Sequence, residues 1–98
     1  MTIKSIYEKL EQATNPVAQV LHKGENSKVL VIGFKKGITL KEHVTNTPSK
    51  LTVLLGSVEF NEPEQSVILG MFDEIIIPTG VLHSVIAIED SLCLLTQG

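Results

Sequence analysis

The sequence predicts an all-β domain, a barrel or sandwich of short strands carrying one short helix at its N-terminus. Three observations predict it. From Val17 onward, short apolar runs recur at spacings of roughly eight to twelve residues with turn residues between them. No helical pattern lies between those runs, so parallel βαβ units are disfavoured. Only the first residues read differently, with Ile3, Ile6, Tyr7 and Leu10 recurring at helical spacing.

The elements follow in order. Residues 3–13 read as an amphipathic helix, with Ser5 and Glu8 placed as a capping box and Asn15–Pro16 as the stop. Its polar face is mixed rather than basic, so it is expected to cap the domain and not to lie on a membrane. Strands are expected at Val17–Leu21, Val29–Phe34, Leu40–Val44, Leu51–Leu55 and Val58–Phe60. Four more follow at Ser66–Leu69, Glu74–Ile77, Ser84–Ile88 and Leu92–Leu95. Nothing resembling a linker or repeat divides them. The division is a helical segment, 1–15, and a β-barrel, 17–98, in one domain spanning 1–98.

Parity assigns faces, because alternate residues of a strand point to opposite sides. Leu51, Val53 and Leu55 share one face, with Lys50 and Thr52 on the other. Leu54 breaks the polar face and marks either a second packed layer or a contact with another copy. Val85 and Ala87 share the parity of His83, which places that imidazole inside.

Composition removes several partners. With 98 residues the chain makes one core. A net charge of −3 argues against nucleic acid. All 8 basic residues are lysines, so no bidentate guanidinium clamp for phosphate or carboxylate exists. Trp is absent and only four aromatics occur, which disfavours base stacking. A single cysteine, Cys93, has no internal partner, as expected in a reducing compartment. The first residues lack an apolar signal region and no run is long enough to span a bilayer, so the cytoplasm is the expected location.

The chemistry-bearing residues fall into two segments. Gly37 is followed at motif spacing by His43, Thr45, Ser49 and Gly56. Phe72 is followed by Pro78, Gly80, His83 and Ala87. This pattern resembles the two motifs of the cupin superfamily, RmlC-like jelly rolls also described as double-stranded β-helices. The first family motif is Gly-x5-His-x-His-x3,4-Glu-x6-Gly; here both glycines and the first histidine match, while Thr45 and Ser49 (or Lys50) replace the second histidine and the glutamate. The second is Gly-x5-Pro-x-Gly-x2-His-x3-Asn; here Phe72 and Ala87 replace the first glycine and the asparagine.

The resemblance implies a barrel interior where three histidines and a glutamate would hold a metal, of which His43 and His83 remain. Two imidazoles without a carboxylate make a poor metal site. The expected cofactor is therefore none, or a weakly held divalent ion (Zn, Mn, Fe or Ni) on His43 and His83. The first expectation is a small organic ligand in an apolar barrel mouth. His43, His83, Thr45 and Ser49 would be its polar contacts, and Leu51, Val53, Leu55, Val85 and Ala87 its walls. Two histidines facing one cavity can also exchange protons with a ligand. The alternatives are a metal-dependent enzyme, dioxygenase- or isomerase-like, and a dimeric association module, since family members of this size form homodimers. Cys93, among leucines, is expected to be buried and inert. His22, before a turn, is expected in solvent. Asp73, Glu89 and Asp90 are expected to serve turns, and Glu59, Glu62 and Glu64 a solvated hairpin end.

Overall fold

The computed structural model covers Met1–Gly98. It contains α1 (Thr2–Lys9), a 3-10 turn at Leu10–Gln12, and nine strands. These are β1 (Val17–Lys23), β2 (Lys28–Phe34), β3 (Thr39–His43), β4 (Ser49–Leu55), β5 (Val58–Glu62), β6 (Gln65–Leu69), β7 (Glu74–Ile77), β8 (His83–Ala87) and β9 (Ser91–Gln97). Every expected strand is present. All pairings are antiparallel and form two sheets, one ordered β1-β2-β9-β4-β7 and the other β3-β8-β5-β6. The strand order and the N-terminal helix are those of a jelly-roll barrel.

The helix departs from expectation at its start. It begins at Thr2 rather than residue 3, and Ser5 is not a cap: its backbone N–H donates to the Met1 carbonyl from inside the first turn. No side chain caps the helix. The α-helix also ends earlier, at Lys9, because Leu10–Gln12 tightens into the 3-10 turn. What holds the segment is burial, since Ile6 and Leu10 pack on Val31 and Leu92 of the sheet beneath. Gly33 permits that approach, because a Cβ there would run into Ile6 and Leu10. Leu54 is half-buried against the same cluster, which resolves its role as a second packed layer.

Between the sheets lies an apolar core. Phe34, Val53, Val58 and Cys93 are wholly buried, and Leu51, Phe60, Val85 and Ala87 nearly so. Burying side chains of the size of Phe34 and Phe60 stabilises by roughly 1.5–3 kcal/mol each. The register stacks this core in layers. Ile32, Cys93 and Val53 lie side by side on one sheet, and Ala87 and Val58 on the other. One layer higher, Leu30, Leu95, Leu51 and Ile75 face Leu40, Val85, Phe60 and Val67.

The connections β2–β3, β4–β5, β6–β7 and β8–β9 gather at one end, which is closed. Those of β1–β2, β3–β4, β5–β6 and β7–β8 gather at the other, the end that carries His43 and His83 and is called the mouth. Gly56, at the closed end, has φ +82°, and a Cβ there would meet Asp90 and Ser91. Phe72 has φ +71°, the one non-glycine residue in that region. It stands where the first glycine of the second motif is expected, and this left-handed backbone is one that glycine adopts without strain.

Candidate functional site

His43 and His83 meet across β3 and β8. Strict alternation after Leu40 would have turned Glu42 inward and His43 outward. The register prevents this, since Leu40 pairs with Val85 but His43 pairs with His83. Three residues of β3 therefore oppose two of β8. Such a bulge re-aims the side chains beyond it. It brings the two rings to 4.2 Å between centroids, tilted by 59°. His83 also stacks on Phe60 at 5.6 Å and 21°, which fixes its plane on the core.

The two imidazoles differ in burial but share a hydrogen-bond pattern. His83 is 3% exposed, whereas His43 is exposed at the rim. His43 Nδ1 lies 2.9 Å from the Lys41 carbonyl oxygen, and His83 Nδ1 lies 3.1 Å from that of Val81. A carbonyl oxygen only accepts, so in each neutral ring the proton sits on Nδ1 and the lone pair on Nε2. Neither Nε2 has a protein partner. No buried side-chain nitrogen or oxygen of the molecule lacks one, so the small exposed part of His83 includes Nε2. Two acceptor nitrogens thus open onto the mouth.

Thr45 lies on the adjoining loop and Ser49 opens β4, and both are tied to the loop's backbone. Both hydroxyls donate to the Thr47 carbonyl, at 3.1 Å from Thr45 and 2.8 Å from Ser49. The Thr45 carbonyl in turn accepts from the Gly80 N–H, which joins this loop to the turn preceding His83. Leu51 and Val53 are placed differently from expectation. They belong to the packed core with Val85 and Ala87, while Leu55 packs beside the helix cluster. The expected apolar walls are therefore the floor beneath the mouth, and the mouth itself is polar.

Sequence reading missed two residues there. Lys28, Gln97, Ser49 and Ile77 form one cross-strand row, one layer above Leu30, Leu95 and Leu51 on the inward parity. Gln97 Nε2 reaches Ser49 Oγ at 3.5 Å. Parity with Cys93 and Leu95 was the available signal, and the polarity of Gln97 and Lys28 at strand ends concealed it. Glu62 likewise continues the inward parity of Val58 and Phe60, with its carboxylate accepting from Gln65 at 3.0 Å.

No third His, Cys, Asp or Glu joins the histidines within reach of one ion. Two neutral imidazoles are a donor set short of a tightly held divalent ion, which normally takes three or four protein ligands. The other candidates hold structural posts. Burial pushes the Cys93 thiol up to about 12, so it stays protonated and unreactive at ordinary pH. Asp73 accepts from the Gly70 N–H, Asp90 from that of Lys36, and Glu89 from the Ser57 hydroxyl. His22 is exposed on edge strand β1. No helix is long and apolar enough to cross a membrane.

No protein-family profile and no curated protein matches the chain. Solved structures do. An RmlC-like cupin protein from Desulfovibrio desulfuricans is 26% identical with a TM-score of 0.78, over 86% of this chain and 82% of its own. A cupin-2 domain containing protein from Shewanella frigidimarina is 15% identical with a TM-score of 0.79, covering 98% of this chain and 91% of that one. A conserved protein of unknown function from Streptococcus pyogenes is 21% identical with a TM-score of 0.76, over 84% and 72%.

Proposed function

We propose that this chain, an RmlC-like cupin with two of the four ligand positions of its motif retained, binds a small organic molecule at the barrel mouth without a tightly held metal. One observation carries the reading: the paired imidazoles of His43 and His83, each anchored through Nδ1–H, keep Nε2 free as an acceptor. Each of these acceptors is accessible from outside, so a ligand bearing a hydrogen-bond donor can pair it. Mostly pre-formed sites with a few convergent polar groups are where small ligands bind. Thr45, Ser49 and Gln97 would border the ligand, with Leu51 and Val53 as the floor.

The same nitrogens favour a second reading, a weakly held divalent ion completed by water or an outside ligand, because metal-bound histidines commonly anchor their other nitrogen in this way. The missing carboxylate ranks it second. Association is a third proposal: Phe72, in the turn before edge strand β7, and Ile76, on that strand, are 75% and 70% exposed, where a second copy could cover them.

A thermal-shift screen of metabolite-sized compounds, paired with elemental analysis of protein purified without chelator, tests the ranking. The expected result is compounds that stabilise the native chain but not His43→Phe, with substoichiometric metal. Stoichiometric metal that disappears in His43→Phe would place the ion first. No stabilising compound and no metal would contradict both site readings. Light scattering checks the homodimer.

A further inference from the structure

We infer that this chain pairs with a second copy of itself through the free edge of β7, two-fold about Ile75; the inference rests on the association reading and gives it a face and a register. The sheet edges are not alike. On one flank of the barrel, β1 is bulged between Val20 and His22 and carries Lys23, and β3 is bulged between Leu40 and His43 and carries Lys41. Bulges and lysines keep an edge from pairing with another chain. The other two edges, β6 and β7, run in continuous register with their neighbours and contain neither lysine nor proline. These strands and the turn joining them also hold Val67, Ile68, Met71, Phe72 and Ile76, each exposed.

Backbone chemistry selects the pairing. β7 bonds to β4 through Asp73, Ile75 and Ile77, so the N–H and C=O groups of Glu74 and Ile76 turn to the open edge. Two copies related by a two-fold axis within one sheet pair residues that share a face. Three such registers are centred within Glu74–Ile76. Glu74 opposite Glu74 sets like charges against each other. Ile76 opposite Ile76 sets Glu74 against Pro78, which has no N–H to give its carbonyl. With Ile75 opposite Ile75, Glu74 of each copy faces Ile76 of the other, and every free N–H of the two edges meets a carbonyl. The outer face then reads Lys50, Ile76, the partner's Glu74 and the partner's Thr52 across the joined sheets. Lys50, which holds its own Glu74 at 3.4 Å, gains the partner's Glu74 across Ile76, so opposite charges alternate around an apolar centre. The same register sets Phe72 opposite the partner's Pro78. Beside Pro78 runs a groove lined by Pro48, Lys50, Ile76 and Thr96, and Phe72 of each copy fills the groove of the other.

Sedimentation velocity of the full chain from roughly 1 to 500 μM, the range in which so small an interface exchanges, tests the pairing together with amide exchange at both concentrations. We expect a reversible dimer, with the amides of Glu74 and Ile76 slowing as it forms while the edge amides of β1 and β3 exchange as before. Ile76→Lys, at an exposed position, should weaken the dimer at least about a hundredfold, and Phe72→Gly, which relieves a left-handed backbone and keeps the fold, about tenfold. Ile75→Cys, on the axis, should close a disulfide between copies under mild oxidation, in which the buried Cys93 takes no part. A dimer whose Glu74 and Ile76 amides stay fast would overturn the β7 edge and leave association to another face. A dimer that protects both amides but never cross-links through Ile75→Cys would overturn the register. A monomer throughout the range would overturn the association reading as well.

Discussion

The two ends of the barrel are built from the same alternating strands and use polar residues in opposite ways. At the closed end, Ser91 is fully buried, and its hydroxyl lies 3.0 Å from the Ser57 carbonyl and 2.7 Å from that of Glu89. Asp90 holds the Lys36 N–H, the Ser57 hydroxyl holds Glu89, and Gly56 fits against Asp90 and Ser91. Polar groups there are tied back into the chain. At the mouth, His43 and His83 are tied back through one nitrogen only, and the other stays open. The closed end therefore ties its polar groups into the fold, and the mouth is the region where two side-chain nitrogens have no partner within the chain.

Substitutions should expose that contrast, beginning with the largest effect. Phe34→Ala, in the fully buried layer toward the closed end, should cost about 3–5 kcal/mol, read from denaturant midpoints. Gly56→Ala comes next. It combines a left-handed backbone with a collision against Asp90 and Ser91, and should cost about 2–3 kcal/mol. A midpoint unchanged by either would break the division into a supporting end and an open one.

Cys93 gives a pH test of the core. Its thiol is raised to about 12 in the fold against an ordinary 9.0, by desolvation. The protonated form is the one the fold favours, so this contribution is complete below pH 9.0 and is lost as pH rises toward about 12. In that window stability should fall about 1.4 kcal/mol per pH unit more steeply in the native chain than in Cys93→Val. Equal slopes would mean the thiol ionises as freely in the fold as outside it.

Two smaller effects sharpen the picture. Phe72→Gly relieves the left-handed φ of +71° at the cost of chain entropy, and should stabilise by about 0.5 kcal/mol. His43→Phe at the mouth should change stability by less than about 0.5 kcal/mol, since its ring is exposed and its single bond is to a nearby carbonyl. A loss of several kcal/mol on replacing His43 would make the pair a structural fastening and remove the contrast between the ends.

The legibility of this molecule in its sequence follows the range of the interactions concerned. Strands were readable because each is bounded by local turn chemistry, such as Lys35–Lys36–Gly37 or Asn61–Glu62–Pro63. The inward placement of His83 followed from its parity with Val85. Interactions set by tertiary packing were not readable. The helix begins at Thr2 without Ser5 as a cap because burial of Ile6 and Leu10, rather than capping, fixes it. The bulge that turns His43 inward is a property of the β3–β8 pairing, and no spacing within β3 announces it. Leu51 and Val53 were correctly placed on the inner face, yet parity does not say whether a face meets a cavity or another sheet. Here it meets the other sheet, so they are core.

The claim that the mouth offers two open acceptors can be tested most directly by the tautomer of each ring. Long-range 1H–15N spectra, recorded where both imidazoles are neutral, should show His43 and His83 protonated on Nδ1 with a lone pair on Nε2. An Nε2–H tautomer in either ring would contradict the account, because that nitrogen would then be a donor and the mouth would no longer be a pair of acceptors.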